Sequence, residues 1–418
     1  MIKSQLKDIL EQMSDNQNDP DQQDQQNNQD CIEFTKADYF LNPTDPELAY
    51  RRRKDEEKKC TSWGQRKLLL TLVQFLTLFW DPSKLKKPKI IYAGAAPGTN
   101  IAIVSMLFPE AEFHLYDPAP FKIKSNDKIH LYQQYFTNDD AQKWSGRSDV
   151  LFISDIRTAD YTKAKNLDEN ESQIMKDMQM QMDWFYIIDP VQGHLKFRPP
   201  YTGGNRPDRI NYLYGYIFKQ PWAPQTTTES RLVPIRDENG KWITASWSAQ
   251  KYQDQMFNHN VVIREKYLYT NPFDETPNPI NKTPKPIDDP ELLNDWDSRA
   301  ETQIWIDYLV KRSGVSNSLD VLALSRLITK KLTEKSKYKD TLSLLRSKPQ
   351  FIKHRNFRPS RDNIDHEWMG RMGQGSNNNN PNPLIHEGPI HVNPSIKPLG
   401  NPLELMEPGK LASDIGLN

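Results

Sequence analysis

A chain of 418 residues has room for two or three domains, but only 36% of it is hydrophobic, its mean hydropathy is −0.80 and it carries 31 prolines, so part of it is excluded from any packed core. The 55 basic and 55 acidic side chains cancel, which excludes a global field pulling the protein onto a polyanion and leaves nucleic-acid affinity to local patches. Two cysteines, Cys31 and Cys60, rule out a disulfide framework. The polar opening from Met1 to Met13 is no signal peptide, and no apolar run nears the roughly 20 residues that span a bilayer, so a soluble, cytoplasmic protein is expected.

Residues 14–30 are almost purely Asn, Asp and Gln and are expected to be disordered, making residues 1–30 a polar N-terminal segment. Arg51, Arg52, Arg53 and Lys54, mixed with Asp55, Glu56 and Glu57, read as a solvated helix face. Leu68, Leu69, Leu72, Phe75, Leu76 and Phe79 recur at helical spacing and predict a helix from Trp63 to Trp80, stopped by Asp81-Pro82. A strand over Lys89–Ala93 runs into Gly94-Ala95-Ala96-Pro97-Gly98, and a helix bearing Ile101, Val104 and Leu107 follows. Strands are expected at Ala111–Tyr116, at Ile129–Tyr132 and at Asp149–Asp155. A long helix from Leu167 to Ile188 carries Ile174, Met178, Met182 and Phe185 on one face, a spacing that signals core packing. Strands at His194–Arg198, Leu213–Phe218 and Ser230–Val233 come next. Strand–helix alternation to residue 190 and consecutive strands after it predict a largely parallel α/β sheet with a non-parallel end. Pro272, Pro277, Pro279, Pro284, Pro286 and Pro290 mark a linker over residues 271–290. Two helices in 291–348 form an expected helical module, the first stopped at Gly314, the second capped by Asn317 or Ser318. From 349 to 418 the chain is basic, then rich in Asn, Pro and Gly, and is expected to be flexible; no internal repeat is seen.

The chemistry concentrates at three strand ends. The loop from Gly94 to Gly98 lets backbone approach a ligand closely, with a helix N-terminus behind it, although an ordinary tight turn accounts for the same residues. It matches neither the dinucleotide fingerprint nor a P-loop. Asp117, ending the second strand, is placed to accept the hydroxyls of a ribose, and Asp155, ending the fourth, points into the same crevice. The histidines and cysteines show no ligand spacing, so no metal is expected.

The string Tyr92-Ala-Gly-Ala-Ala-Pro-Gly-Thr-Asn100, with Ser154-Asp155-Ile156-Arg157, resembles the poxvirus cap-specific mRNA 2′-O-methyltransferases, which also serve as the small stimulatory subunit of poly(A) polymerase. The likeness extends back to Gly64-Gln65-Arg66-Lys67 and forward through Leu195-Lys196-Phe197-Arg198-Pro199 and Ala223-Pro224 to Glu229-Ser230-Arg231-Leu232, covering about residues 60–260. It implies a Rossmann-like S-adenosylmethionine-dependent methyltransferase domain over residues 31–270, with capped mRNA as substrate and a poly(A) polymerase or capping subunit as partner. It implies a catalytic tetrad of Lys67, Asp155, Lys196 and Glu229, although singly Lys67 could be a surface lysine and Glu229 a strand-end charge. Lys196 is then the candidate base, because an amine accepts a proton near neutral pH only if its pKa falls from about 10.4. The resemblance assigns Gln65, Gly94, Gly98, Asn100 (a histidine in the poxvirus proteins) and Asp117 to the cofactor, and Tyr135 or Phe136 is expected to contact its adenine. Arg157 matches an arginine near the acceptor RNA. Tyr201 matches one of two rings that sandwich a methylated guanine, and the second is either Tyr39 or Tyr50. Gly203 replaces one cap-binding carboxylate, and Asp254, beside Gln253, is the candidate for the other. Outside the resemblance, Lys353, His354, Arg355, Arg358 and Arg361 with Phe351 and Phe357 read as a solvated basic linker or as a contact for RNA or a partner.

Overall fold

The computed structural model describes residues 32–53, 63–270, 295–314 and 318–333, so the expectations for the polar N-terminus, the linker and the basic tail lie outside the described residues. Five strands run parallel through its middle: β1 (Lys89–Ala93), β2 (Glu112–Tyr116), β3 (Ile129–Tyr132), β4 (Val150–Ser154) and β5 (Gln192–Phe197). The whole of β4 and all of β1 past Lys89 are buried, which is why both read as continuous apolar runs instead of alternating ones. The helices that return the chain are α1 (Trp63–Phe79), which precedes β1, then α2 (Thr99–Leu107), α3 (Asn138–Lys143) and α4 (Leu167–Ile188). The short helix α3 was not expected; its signal was a capping box, Thr137 with Asp140 three residues on.

After β5 the chain changes direction. The expected strand from Leu213 to Phe218 is β7 (Gly215–Phe218), and a strand that was not expected, β6 (Arg209–Leu213), precedes it in a different sheet. They part at Tyr214, whose N–H donates to Ile243 O (2.8 Å) and whose carbonyl accepts from Ile235 N (3.0 Å). β8 (Ser230–Pro234) inserts antiparallel between β5 and β7, completing the order β3-β2-β1-β4-β5-β8-β7, and is the only strand of this sheet to run against the others. β9 (Thr244–Ser248) pairs with β6, and α5 (Ala249–Asn258) follows directly. The expected non-parallel end is present, so the fold is α/β with a mostly parallel, Rossmann-like sheet.

Each face of the sheet has its own core. Ile91, Ala93 and Phe152 meet Ile174, Met178 and Phe185 of α4 on one side, while Met182 is only partly buried there. On the other, Ile90, Tyr92 and Ile153 meet Leu69, Val73 and Leu76 of α1. That second cluster continues into α6 (Trp296–Ser313) through Trp296, Ala300, Ile304 and Trp305, and into α7 (Ser318–Thr333) through Val321, Leu324 and Ile328. α6 stops at Gly314 as expected. The two C-terminal helices share the core of α1. Residues 51–53, expected on a helix face, are not helical, and Arg53 instead forms an ion pair with Glu265. Among the described residues no helix is long and apolar enough to cross a membrane.

Candidate active site

Register places the three strand ends side by side. Ala93 lies opposite both Tyr116 and Ser154, so the next residue of each strand, Gly94, Asp117 and Asp155, emerges at the same level of the sheet edge. Gly94 N donates to Tyr116 O (2.9 Å) and Asp155 N to Ala93 O (2.9 Å). A Cβ on Gly94 would lie 2.8 Å from the Asp155 carbonyl carbon, so the close approach this glycine permits is that of β4's end to β1's. Gly98, at φ 77°, caps α2, and a Cβ there would meet Ile123 at 2.9 Å. The Asp117 carboxylate braces the loop by accepting from Ala96 N (3.0 Å) and from Ala119 N (2.8 Å). Gln65, at the start of α1, accepts from Thr99 Oγ1 (2.6 Å) across the same crevice. Asn100 is 2% exposed, and among the described residues its Nδ2 meets no acceptor, so it is a buried donor facing the crevice loop. Tyr135 is 68% exposed and available to a planar ligand. Phe136 is 6% exposed and packs edge-on against Tyr116 (4.9 Å) and Trp184 (5.0 Å), so its ring belongs to the core and only its backbone is left for a ligand.

The four residues of the expected tetrad converge. Side chains alternate along a strand, so Lys196 of β5 and the pair flanking Ser230 at the start of β8, Glu229 and Arg231, project to the α1 side. Lys67 Nζ lies 2.8 Å from Glu229 Oε1; Lys196 Nζ lies 3.0 Å from Asp155 Oδ1 and 3.5 Å from Glu229 Oε2. Sequence reading missed a fifth member. Arg231, 2% exposed, bridges Asp155 Oδ1 (2.7 Å) and Glu229 Oε1 (3.1 Å). Its signal was there, two residues beyond Glu229 and hence on the same face of the strand.

Three cations thus surround two carboxylates. Burial alone would raise the pKa of Asp155, but Arg231 and then Lys196 outweigh it and hold the group below the usual carboxylate range. Burial likewise opposes the charge on Glu229, and Lys196, Lys67 and Arg231 together keep it well below its ordinary value. Burial pulls Lys67 down, against the attraction of Glu229. Arg157 stands two residues beyond Asp155, lowered by burial and by Arg198, with Asp177 3.9 Å away.

A second group lies at the end of β5. Tyr50 and Tyr201 stack face to face at 4.8 Å and 23°, whereas Tyr39 is wholly buried and directed at Asp307 (3.5 Å). Glu171 of α4 grips Arg198 through two bonds (2.9 and 3.0 Å) and accepts Tyr201 N (2.9 Å), and the Arg198 guanidinium lies over the Tyr201 ring at 4.5 Å. Asp254 accepts Tyr50 N (2.8 Å) and Gln250 Nε2 (2.6 Å), while the neighbouring Gln253 bonds Thr202. The acid therefore stands under Tyr50. Gly203 has left-handed backbone in the loop that Arg206 ties down through Tyr201 O (2.5 Å).

At the other end of β2, Glu112, His114 and His130 stand within ligand reach of one another, a grouping that sequence spacing did not show. Lys89 Nζ (3.0 Å), His114 Nε2 (2.9 Å) and His130 Nε2 (3.0 Å) all meet Glu112 Oε1, and His114 Nδ1 meets Tyr132 OH (3.1 Å). An ammonium on the same oxygen makes this a hydrogen-bonded brace of the sheet edge.

Comparison with known proteins bears on this geometry. A family model described as the poly(A) polymerase regulatory subunit matches residues 33–281. The cap-specific mRNA (nucleoside-2′-O-)-methyltransferase of Myxoma virus (strain Lausanne) is 26% identical over 259 residues, covering 57% of this chain and 72% of the relative. The protein of the same description from strain Uriarra matches to the same extent.

Proposed function

This chain belongs to the poly(A) polymerase regulatory subunit family, and from that premise we propose that it methylates the ribose 2′-oxygen of the first transcribed nucleotide of capped mRNA. The observation that carries the reading is the convergence of Lys67, Asp155, Lys196 and Glu229 within 2.8–3.5 Å of one another's charged atoms at the sheet's carboxyl edge. A scaffold has no use for such a set.

S-adenosylmethionine, when bound, supplies a methyl group on a positively charged sulfur. The residues of the crevice fit it: Asn100 offers an unsatisfied buried donor, Asp117 a carboxylate at the end of β2, and Gln65, Gly94 and Gly98 line the loop between them. Lys196, in its neutral form, takes the proton of the 2′-hydroxyl at Nζ, and Asp155 and Glu229 orient that nitrogen and stabilise the ammonium it becomes. Lys67 fixes Glu229, and Arg231 fixes both acids. Tyr50 and Tyr201 receive the methylated guanine, whose positive charge strengthens stacking on an aromatic face. At about 3.4 Å per stacked base the two rings must part by about 2 Å to admit it.

The family's description favours a second role beside the first, as the stimulatory subunit of a poly(A) polymerase. Because the matched relatives are viral, the proposal extends to a virally encoded protein acting in the cytoplasm. The test is transfer of labelled methyl from S-adenosylmethionine to capped RNA, beside the same RNA with a 2′-deoxyribose at the first nucleotide. The reading predicts label in the first RNA alone, and label in both or in neither contradicts it.

A further inference from the structure

The C-terminal helices begin after the family match ends at residue 281, yet α6 and α7 cover the helix that carries Lys67. The contact is polar as well as apolar. Arg66 and Glu301, 1% and 0% exposed, pair through Nε–Oε2 (2.8 Å) and Nη2–Oε1 (2.5 Å). From α7, Thr329 Oγ1 (2.6 Å) and Ser325 Oγ (2.9 Å) accept two further guanidinium N–H groups. The same carboxylate accepts Trp222 Nε1 (2.6 Å) and Trp305 Nε1 (3.1 Å). One helical turn earlier, Asp297 accepts Trp222 N (2.8 Å) and pairs with the buried Arg264 (2.8 Å).

The positions of these partners give the contact its meaning. Arg66 stands between Gln65 and Lys67 in the first turn of α1, and successive helical residues point about 100° apart. Gln65 reaches the glycine loop at Thr99, Lys67 reaches Glu229, and Arg66 reaches Glu301, so three consecutive residues fix this helix end in three directions. Trp222 begins the segment that leads to Glu229, the partner of Lys67. A single carboxylate therefore holds both halves of the Lys67–Glu229 pair, one residue from the first and through Trp222 to the second.

We propose that Glu301, backed by Ser325 and Thr329, is a positioning residue for the catalytic cluster, making the C-terminal helices part of the enzyme's machinery; this rests on the methyl-transfer reading. The physical reason lies in Arg66. A guanidinium does not release its proton, so if its carboxylate is neutralised the arginine cannot follow and can gain relief only by moving towards water. Its neighbours Gln65 and Lys67 move with it. A misplacement of about 1 Å at a reacting centre costs as much as about 10²-fold in rate.

The test compares Glu301→Gln, Thr329→Val and the control Arg312→Ala, which removes the pair of α6 with Glu110 and the guanidinium over Phe108 and leaves the Arg66–Glu301 contact in place. Glu301→Gln should lower kcat at least about tenfold, with little change in the KM for capped RNA, since the cap rings are held by Glu171 and Asp254 whereas Glu301 holds Arg66 and the tryptophans. Thr329→Val keeps the volume and the ion pair and should fold normally with a smaller loss of kcat, and Arg312→Ala should keep full activity. Amide exchange supplies a readout that needs no turnover. In both α1-facing variants residues 64–68 should exchange about tenfold faster while β1 and β4 keep their protection. Wild-type activity with unchanged kcat and unchanged α1 exchange in the folded variants overturns the positioning role. A wild-type protein that transfers no methyl group fails the methyl-transfer reading instead, and the exchange measurement still decides whether Glu301 holds the helix.

Discussion

Arg231→Met removes the guanidinium that bridges both acids of the cluster, a charge that cannot be titrated away. In the native cluster Asp155 Oδ1 receives Arg231 at 2.7 Å and Lys196 at 3.0 Å, and Glu229 Oε1 receives Arg231 at 3.1 Å and Lys67 at 2.8 Å. Taking one partner from a buried ion pair typically costs about 3–5 kcal/mol, because the other charge is stranded. Here each acid keeps a lysine, so the loss should fall at or just under the lower end, about 2–3 kcal/mol near pH 7. The pH dependence gives a second signature. Both acids are held below their ordinary range in the fold, so their contribution is complete above the unfolded carboxylate values of about 4 and is lost as pH falls through the lower folded values. Without Arg231 the folded pKa of Asp155 rises, and acid unfolding should begin at a higher pH than in the wild type. Urea unfolding across pH 3–7 measures both effects, and the rate of methyl transfer should fall with them because the acids orient Lys196. Stability within about 0.5 kcal/mol of wild type, with an unchanged acid limb, would refute the claim that Arg231 organises the site.

Three other outcomes follow from the same geometry. Asp117→Ala should weaken S-adenosylmethionine binding by roughly 1.5–3 kcal/mol; calorimetry showing equal affinity removes Asp117 from the cofactor site. Tyr50→Ala and Tyr201→Ala should each reduce affinity for a cap dinucleotide by on the order of 1–3 kcal/mol, and more for the N7-methylated cap than for the unmethylated one. Equal losses for the two caps would mean that the rings only pack on each other. Burial, with His130 beside it and against the pull of Glu112, pushes His114 down to about 4, so the unfolded chain takes a proton there that the folded one resists. Stability should therefore decline from pH 6.5 to about 4 by about 2 kcal/mol, less than the roughly 3 kcal/mol of an unscreened ring because solvent reaches this one. Glu112, Lys89 and His130 face the ring, and thermal melts of His114→Gln should show a flatter profile; an unflattened one counts against the shift.

What the sequence disclosed and what it concealed divide along physical lines. β1, β4 and α4 were legible because burial on both faces gives unbroken apolar runs and a helix gives a 3.6-residue rhythm. The tetrad was legible through resemblance, its members lying on four separate elements that no local pattern connects. β6 was missed, and the expected strand began at Leu213 instead of Gly215, because the break at Tyr214 is made by partners some 20 to 30 residues away, Ile235 and Ile243. The burial of the Phe136 ring was hidden because hydrophobicity alone does not say which side of a sheet a loop residue will enter. That Tyr50 lies on Tyr201 was hidden too, since Asp254, two hundred residues on, holds the Tyr50 backbone. The role of α6 was concealed for the same reason, since Glu301 and Arg66 meet only in three dimensions.

The central claim is that Lys196, oriented by Asp155 and Glu229, carries methyl transfer to a ribose hydroxyl. Single-turnover transfer to capped RNA by wild type and Lys196→Ala, with S-adenosylmethionine affinity measured on both, tests it most directly. Label is expected on the 2′-oxygen of the first nucleotide for the wild type, and for the variant a rate lower by at least about 10²-fold with cofactor affinity held within a few-fold. A variant that retains most of its rate, or a wild type that places the methyl group elsewhere, would contradict it.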